Sequence, residues 1–342
     1  MKIGLIGCGR IAADHMLVYR HLGNAQVVAV SDIAPNKSRS FANKFGIDKV
    51  FTNHIDLLET KDLDFVDVCT PTSTHAPIVC DAAKTGQNVL LEKPMAISTD
   101  ECERMMHEVE KHGISLCICH NQIFFPAMKQ AKFLVDSGDY DLTYFRTSIR
   151  ENPQAFRVPV WNMTPEEKGI LWEVGCHPAY LHLHFLGDIT DVYAVGNKVK
   201  YPVFDEYAVL LKSKERPYGI MEISWLAKET RKIYEIYSSD GKCAFMEAPP
   251  PWASEGYDVL VEKSAETRRV SYAKLKKFIP RFVKHKTPLS YFIGHFHLIS
   301  SYMKTLRKGS PPPVPPEEGK KTIKLLECIE QSLDTNEVVS LK

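Results

Sequence analysis

The residues that could do chemistry begin at the seventh position. Gly7-Cys8-Gly9-Arg10-Ile11-Ala12 follows a short apolar run, Lys2–Ile6, and opens an amphipathic stretch. It is the G-x-G-x-x-A form of a dinucleotide fingerprint. Gly7 permits a tight turn, Gly9 lets the main chain approach a pyrophosphate, and Ala12 keeps the following helix close to the sheet. The start of that helix, at Arg10 and Ile11, meets the negative charge with N–H groups and the positive end of its dipole. Asp32 ends the second apolar run, about 20 residues further on, where a carboxylate binds the adenine ribose hydroxyls. A carboxylate there repels a 2′-phosphate, so NAD is the expected cofactor; Lys37 and Arg39 lie close by and leave NADP as the second option. Three further polar clusters follow strand-like runs, at the carboxyl ends where open α/β sheets take ligands. They are Cys69-Thr70-Pro71-Thr72-Ser73-Thr74-His75, Leu91-Glu92-Lys93-Pro94 and Cys119-His120-Asn121-Gln122.

The elements that must position these residues can be read from periodicity. Up to about residue 122, the runs Lys2–Ile6, Val27–Ser31, Phe65–Cys69, Asn88–Leu91 and Ser115–Cys119 are short and rich in Val, Ile and Leu. They do not alternate with polar residues, which suits strands covered on both faces. Helix candidates lie between them: Ile11–Leu22, Lys37–Phe45, Ala76–Thr85 and Thr99–Lys111, each with a glycine just beyond its end. Strand–helix repetition of this kind predicts an N-terminal doubly wound α/β domain, a Rossmann domain, over residues 1–122. Residues 123–342 read differently. A helix over Phe124–Ser137 is followed by strand-like runs at Thr143–Arg150, Asp191–Val199, Tyr207–Lys212, Gly219–Trp225 and Lys232–Ser238. Ser239-Asp240-Gly241 then turns into Cys243–Glu247 as a hairpin. One helix, near Pro178–Leu186, interrupts the strands. The expectation is an α+β domain with a large, open, mostly antiparallel sheet, and a last helix, about 319–335, packing back on the first domain.

Composition excludes several classes. The chain has 342 residues, 44% hydrophobic and 25% charged, with a formal net charge of +1. That balance is not one that coats nucleic acid or an anionic membrane. No apolar run approaches the roughly 20 residues of a membrane helix. The N-terminus runs straight into the glycine turn without the length of a signal peptide. Nine scattered cysteines with no repeated C-x-x-C pair read as reduced thiols, so a cytoplasmic location is expected. Cys117 and Cys119 alternate on an apolar run and read as buried. His177, His182, His184, His295 and His297 lack the spacing of a helical metal pair, so no metal site is expected. Lys274–Lys286 is a basic stretch, read as a solvated face; a substrate phosphate is its sharper alternative.

Taken together, the glycine loop, Thr70-Pro71-Thr72-Ser73-Thr74-His75, Glu92-Lys93-Pro94 and Gly169-Ile170-Leu171-Trp172-Glu173-Val174-Gly175-Cys176-His177-Pro178 resemble the glucose–fructose oxidoreductase, inositol dehydrogenase and rhizopine-catabolism (Gfo/Idh/MocA) family, nearly end to end. The resemblance implies that Lys93 lies between nicotinamide and substrate and helps move the hydroxyl proton, with His177 as its acid/base partner. It implies that Thr70, Pro71, Thr72 and His75 line the cofactor and that Glu92 and Asn121 lie beside the nicotinamide ribose. Glu173 stands where the family has Asp, one methylene longer. Trp161-Asn162 stands where a Trp-Arg pair is frequent near the cofactor, so Trp161 keeps the ring and a cation is lost. The implied partners are a sugar, polyol or nucleotide-sugar substrate and further copies of the chain, as a homodimer or homotetramer.

These residue types suit alcohol oxidation. The cofactor takes the hydride and the protein must take the proton. A lysine beside a cationic ring has its proton affinity lowered by like charge and burial. His177 precedes Pro178 at a helix start, which favours the neutral imidazole, and Glu173 would share its face if the turn between them is helical. Positioned acid/base groups contribute about 10²–10⁴-fold in rate. The expected activity is NAD(P)-dependent dehydrogenation of CH–OH groups. A redox-neutral NAD-dependent glycoside hydrolase and a non-catalytic cofactor-sensing regulator are the alternatives that relatives of this kind offer.

Overall fold

The structure is a computed structural model that describes residues 1–154, 158, 160–215, 217–248, 258–263, 266–271 and 289–341. The basic stretch Lys274–Lys286 lies outside the described residues. The chain divides into two compact units: Met1–Asn121 with His295–Ile323, and Gln122–Gly294 with Lys324–Lys342.

The first unit is built on β1 (Lys2–Ile6), α1 (Arg10–Leu22), β2 (Gln26–Ser31), α2 (Pro35–Phe45), β3 (Lys49–Phe51), α3 (His54–Leu58), β4 (Phe65–Val68), α4 (His75–Lys84), β5 (Val89–Leu91), α5 (Thr99–His112) and β6 (Leu116–Ile118). The six strands are parallel, in the order β3-β2-β1-β4-β5-β6. That is the doubly wound order, with the strand sequence reversing beside β1. Every residue of β4, β5 and β6 is buried, as strands covered on both faces require. The helices carry local start and stop signals. Ser98 accepts the Glu101 N–H at the start of α5, and Gly113 ends it in the left-handed region. The stretch His295–Ile323 takes in most of α9 (Leu289–Lys308) and the start of α10 (Pro316–Thr335). Tyr302 of α9 donates to the Val89 carbonyl at 3.0 Å, and a Cβ on Gly319 would lie 2.6 Å from the Met95 sulfur, so α10 begins close against the loop after β5.

The second unit holds α6 (Pro126–Asp136), β7 (Leu142–Arg150), α7 (Gly169–Glu173), α8 (Cys176–Leu186), β8 (Ile189–Asn197), β9 (Glu206–Ser213), β10 (Tyr218–Ser224), β11 (Arg231–Ser238), β12 (Cys243–Ala248), β13 (Asp258–Lys263), β14 (Glu266–Ser271) and β15 (Val339–Ser340). These strands form one nine-stranded sheet, β14-β13-β12-β11-β7-β10-β9-β8-β15, in which β7 and β10 are the parallel pair and the other neighbours are antiparallel. β9 and β11 alternate buried and more exposed positions, the signature of a sheet covered on one face. Tyr207, Val209, Met221, Ile223, Tyr234 and Ile236 fill the covered face. Gly219 lets α8 approach: a Cβ there would meet the His182 ring at 2.5 Å. On the other face Tyr144 stacks on Tyr237 and Tyr218, with centroids 4.2 and 5.1 Å apart.

Candidate functional site

In the first unit the glycine loop joins β1 to α1. Gly7 has φ +93°, and a Cβ on it would stand 2.5 Å from the Cys69 carbonyl oxygen, so only glycine fits. Its N–H donates to the Ser31 carbonyl at 2.7 Å, which ties the loop to the end of β2. Gly9 is exposed and caps α1 without a side chain; nothing lies within 4 Å of where its Cβ would be. Arg10 is exposed, Ile11 half-buried and Ala12 fully buried. Asp32 accepts the Cys8 N–H at 2.9 Å with one carboxylate oxygen and the Ala34 N–H at 2.9 Å with the other. The expected ribose ligand is therefore held by the loop it serves. Burial, and then the Asp32 charge, push the Cys8 thiol up to about 12, so it stays protonated.

The loops after β4 and β5 are tied together. Thr70, Pro71 and Thr72 are open or half-open at the loop surface. His75, expected to line the cofactor, is completely buried. Its Nδ1 is 2.9 Å from the Pro94 carbonyl and its Nε2 is 3.0 Å from the Thr70 carbonyl. It braces one loop against the other, and burial holds its pKa below the usual imidazole value.

Lys93 is half-buried and follows Glu92, which is 4% exposed. The Lys93 N–H donates to Glu92 Oε2 at 3.1 Å. Glu92 Oε1 is 3.1 Å from His15 Nε2 and 3.5 Å from His295 Nε2. His15 Nδ1 is 2.8 Å from Asp67 Oδ2, which also accepts the Tyr19 hydroxyl at 2.6 Å. Asn121 Nδ2 is 3.2 Å from His295 Nε2. Glu92 and Asn121, expected beside the nicotinamide ribose, thus have their side chains in a buried polar network. Burial alone would raise the Glu92 pKa, but the hydrogen bonds and charges of His15 and His295 hold it well below the carboxylate range. Burial alone would lower the His15 pKa, yet Asp67 and the surrounding acceptors keep it well above the imidazole value. The sequence reading missed His15 and Asp67 and weighed His295 only as a metal ligand. Spacing could not show them, because they come from α1, β4 and α9. The ring nitrogens of His15 and His295, Glu92 and the Cys119 thiol also lie within 4.8 Å of one another, a donor set that could hold a cation and that the spacing rules do not show.

In the second unit His177 stands in the first turn of α8 and is 7% exposed. Glu173, four residues earlier, ends α7, and the helix breaks between them at Val174 and Gly175. A Cβ on Gly175 would meet the Leu171 carbonyl oxygen at 2.4 Å and the Tyr207 hydroxyl at 2.3 Å, so the position has room only for glycine, and Val174 and Gly175 both stay in the right-handed helical region. His177 Nδ1 bonds the Tyr180 hydroxyl at 2.8 Å, and that hydroxyl accepts the Gln122 N–H at 3.1 Å. Tyr234 donates to Gln122 Oε1 at 3.2 Å. Tyr180 is therefore a partner of His177 that the sequence reading did not name, although its i+3 spacing was visible. Trp161 falls in the short 3-10 turn Val160–Met163, and its side chain lies outside the described residues.

Residues 1–120 match the oxidoreductase family with an NAD-binding Rossmann fold, and residues 128–244 match the GFO/IDH/MocA C-terminal domain. The chain belongs to the Gfo/Idh/MocA family. This oxidoreductase is 24% identical over 355 residues to a myo-inositol 2-dehydrogenase of Thermotoga maritima, covering 100% of this chain and 99% of that one. It is 24% identical over 286 residues to a D-apiose dehydrogenase of Paraburkholderia graminis, covering 76% of each chain. Among solved structures, a levoglucosan dehydrogenase in complex with NADH and L-sorbose superposes with a TM-score of 0.87 at 18% identity, over 100% of this chain and 99% of that one. The cofactor is NAD, and the first unit fits it. The open main chain at Gly9, the start of the 13-residue α1 and the Asp32 carboxylate supply what a pyrophosphate and a ribose require.

Proposed function

We propose that this NAD-dependent oxidoreductase transfers a hydride between the nicotinamide and a hydroxyl-bearing carbon of a sugar, cyclitol or related polyol. The observation that carries the reading is the glycine turn at α1, open at Gly9 and joined to Asp32, in a chain whose two halves match one oxidoreductase family. The relatives that act on inositol and apiose support a polyhydroxylated substrate. Bound NAD supplies the hydride acceptor or donor.

The chain supplies the proton chemistry. In this reading Lys93 bonds the reacting oxygen and His177 gives or takes its proton. The support is separate for each: Lys93 projects from a loop braced by His75 and Glu92, and His177 is held on Nδ1 by Tyr180. Thr70, Pro71, Thr72 and Trp161 are assigned to the cofactor, and Glu173 to a substrate hydroxyl. Further copies of the chain are the proposed partners, as a homodimer or homotetramer. The open face of the large sheet exposes Tyr193, Val195, Leu210 and Tyr218, the kind of apolar patch that subunit interfaces use. No helix among the described residues is long and apolar enough to cross a membrane. A cytoplasmic location is proposed because no disulfide joins the nine cysteines.

The test is a spectrophotometric screen of purified protein with NAD and NADP against free sugars, inositols, sugar acids and nucleotide sugars. The expected result is reduced nicotinamide formed with one substrate class, and loss of that rate in Lys93→Ala with NAD affinity changed by no more than a few-fold. Turnover of a glycoside without net nicotinamide reduction would overturn the reading. Retention of most of kcat in Lys93→Ala would remove Lys93 from the chemistry.

A further inference from the structure

The loop that carries Lys93 rests on buried charges that the proposed reaction does not use. Glu92 and Asp67 are 4% and 0% exposed, and ionised carboxylates are costly in a dry interior unless they are paired. His15 lies between them, with Nδ1 2.8 Å from Asp67 and Nε2 3.1 Å from Glu92. An imidazole whose two nitrogens both face carboxylates carries a proton on each, so His15 is a buried cation. His295 approaches the same Glu92 oxygen at 3.5 Å, and Asn121 packs against the His295 ring. The other Glu92 oxygen accepts the main-chain N–H of Lys93 at 3.1 Å. One carboxylate therefore links α1, α9 and the end of β5 to the backbone of Lys93.

We propose that His15 and His295 are positioning residues for Lys93: by clamping one oxygen of Glu92 they fix the other, and with it the main chain from which the lysine side chain extends. The proposal rests on the role given to Lys93 above. Its physical content is placement, since displacing a reacting group by about 1 Å can cost about 100-fold in rate. The same region offers a rival. Cys119 Sγ is 4.0 Å from His15 Nε2, and with Glu92 and His295 it forms a donor set for a divalent cation. The hydrogen-bonded form is favoured because His15 already has a carboxylate on each nitrogen, at 2.8 Å from Asp67 and 3.1 Å from Glu92.

The experiment compares His295→Leu with His295→Gln in the full-length protein. Leucine keeps the apolar packing and removes the donor; glutamine keeps a donor. His295→Leu is expected to lower kcat by about 100-fold with the panel substrate, while NAD affinity by calorimetry stays within a few-fold. His295→Gln is expected to recover most of that loss. A leucine variant with wild-type kcat overturns the proposal, and so does a glutamine variant no better than leucine. A second readout needs neither substrate nor turnover. Lysines are labelled by reductive 13C-methylation, and the Lys93 resonance is assigned with Lys93→Arg. It should shift in His295→Leu and return in His295→Gln; an unmoved resonance overturns the clamp. If Lys93→Ala keeps its turnover, the catalytic assignment fails while this resonance still reports on the clamp. Metal analysis closes the test. A full equivalent of zinc in the purified protein, lost in His295→Leu, would overturn the hydrogen-bonded clamp in favour of a cation site, and absence of bound metal supports the clamp.

Discussion

Alanine at each of the two loop glycines separates folding from cofactor binding. At Gly7 the φ of +93° is one that alanine adopts at a cost of about 1–2 kcal/mol. The new Cβ would also stand 2.5 Å from the Cys69 carbonyl oxygen and 2.8 Å from its carbon. Backbone must move to relieve that, adding about 1–3 kcal/mol by the measure of overpacked cores. The sum is about 2–5 kcal/mol, and at about 2–4 °C per kcal/mol the Tm should fall by about 4 °C or more. At Gly9 the backbone is extended, φ −83° and ψ −166°, and nothing lies within 4 Å of the new Cβ. Gly9→Ala should therefore cost only the weaker helix-capping preference of alanine, no more than about 1 kcal/mol. Its methyl group instead occupies the space a pyrophosphate needs. A steric penalty of about 1–3 kcal/mol there raises the Kd for NAD by about 5–150-fold. Differential scanning fluorimetry without cofactor and calorimetry with NAD read the two effects. If Gly9→Ala binds NAD like wild type, the pyrophosphate does not sit on this turn. If Gly7→Ala keeps its Tm, the steric argument at Cys69 is wrong.

Three further outcomes follow from the same geometry. Asp32→Ala removes the acceptor of the Cys8 and Ala34 amides as well as the ribose ligand, so NAD affinity should fall more than NADP affinity; equal losses by calorimetry would show that the carboxylate acts only on the loop. Tyr180→Phe removes the bond on His177 Nδ1, and a lost hydrogen bond of about 1 kcal/mol predicts a kcat lower by about fivefold with NAD affinity intact; an unchanged kcat would separate Tyr180 from the reaction. His15 is held protonated in the folded protein, so its contribution is complete below the unfolded value of 6.5 and declines as pH rises toward its raised folded pKa. Stability to urea should fall by at most about 1.4 kcal/mol per pH unit between pH 6.5 and that folded value. His15→Gln should flatten this slope, and an identical slope in the variant would mean that another group titrates.

The sequence showed most clearly what is continuous along the chain. Gly7 to Ala12 are adjacent, and their jobs at a strand–helix junction follow from having no side chain or a small one. The strands β1, β2, β4, β5 and β6 stood out because each is largely buried on both faces and so reads as a mostly apolar run, although Asp67 interrupts β4. β3 and α3 did not: three and five residues are too few to establish a period, and β3 is partly exposed. Glu173 and His177 stand four residues apart, one at the end of α7 and one in the first turn of α8, with Val174 and Gly175 between them in the right-handed helical region. The bond found on His177 comes from Tyr180, three residues on.

The buried network could not be read from spacing, since His15 lies 52 residues from Asp67 and 77 from Glu92. Its energetics nevertheless say something about function. Apolar side chains of similar volume at such positions are often neutral or more stabilising than a buried ion set. Stability alone therefore gives no reason for two carboxylates and two histidines among Phe65, Val66 and Ile118, all fully buried. Directional bonds do give one. Apolar packing tolerates small shifts of a loop, whereas a carboxylate held on one side by His15 and His295 leaves its second oxygen in one place. That oxygen bonds the Lys93 amide, and the carbonyl of the following residue, Pro94, lies 2.9 Å from His75 Nδ1, whose Nε2 is 3.0 Å from the Thr70 carbonyl. The two strand-end loops given roles in catalysis and cofactor binding are thus tied by directional hydrogen bonds in addition to packing. This is the pattern expected where the position of a group matters more than the stability of the element that carries it.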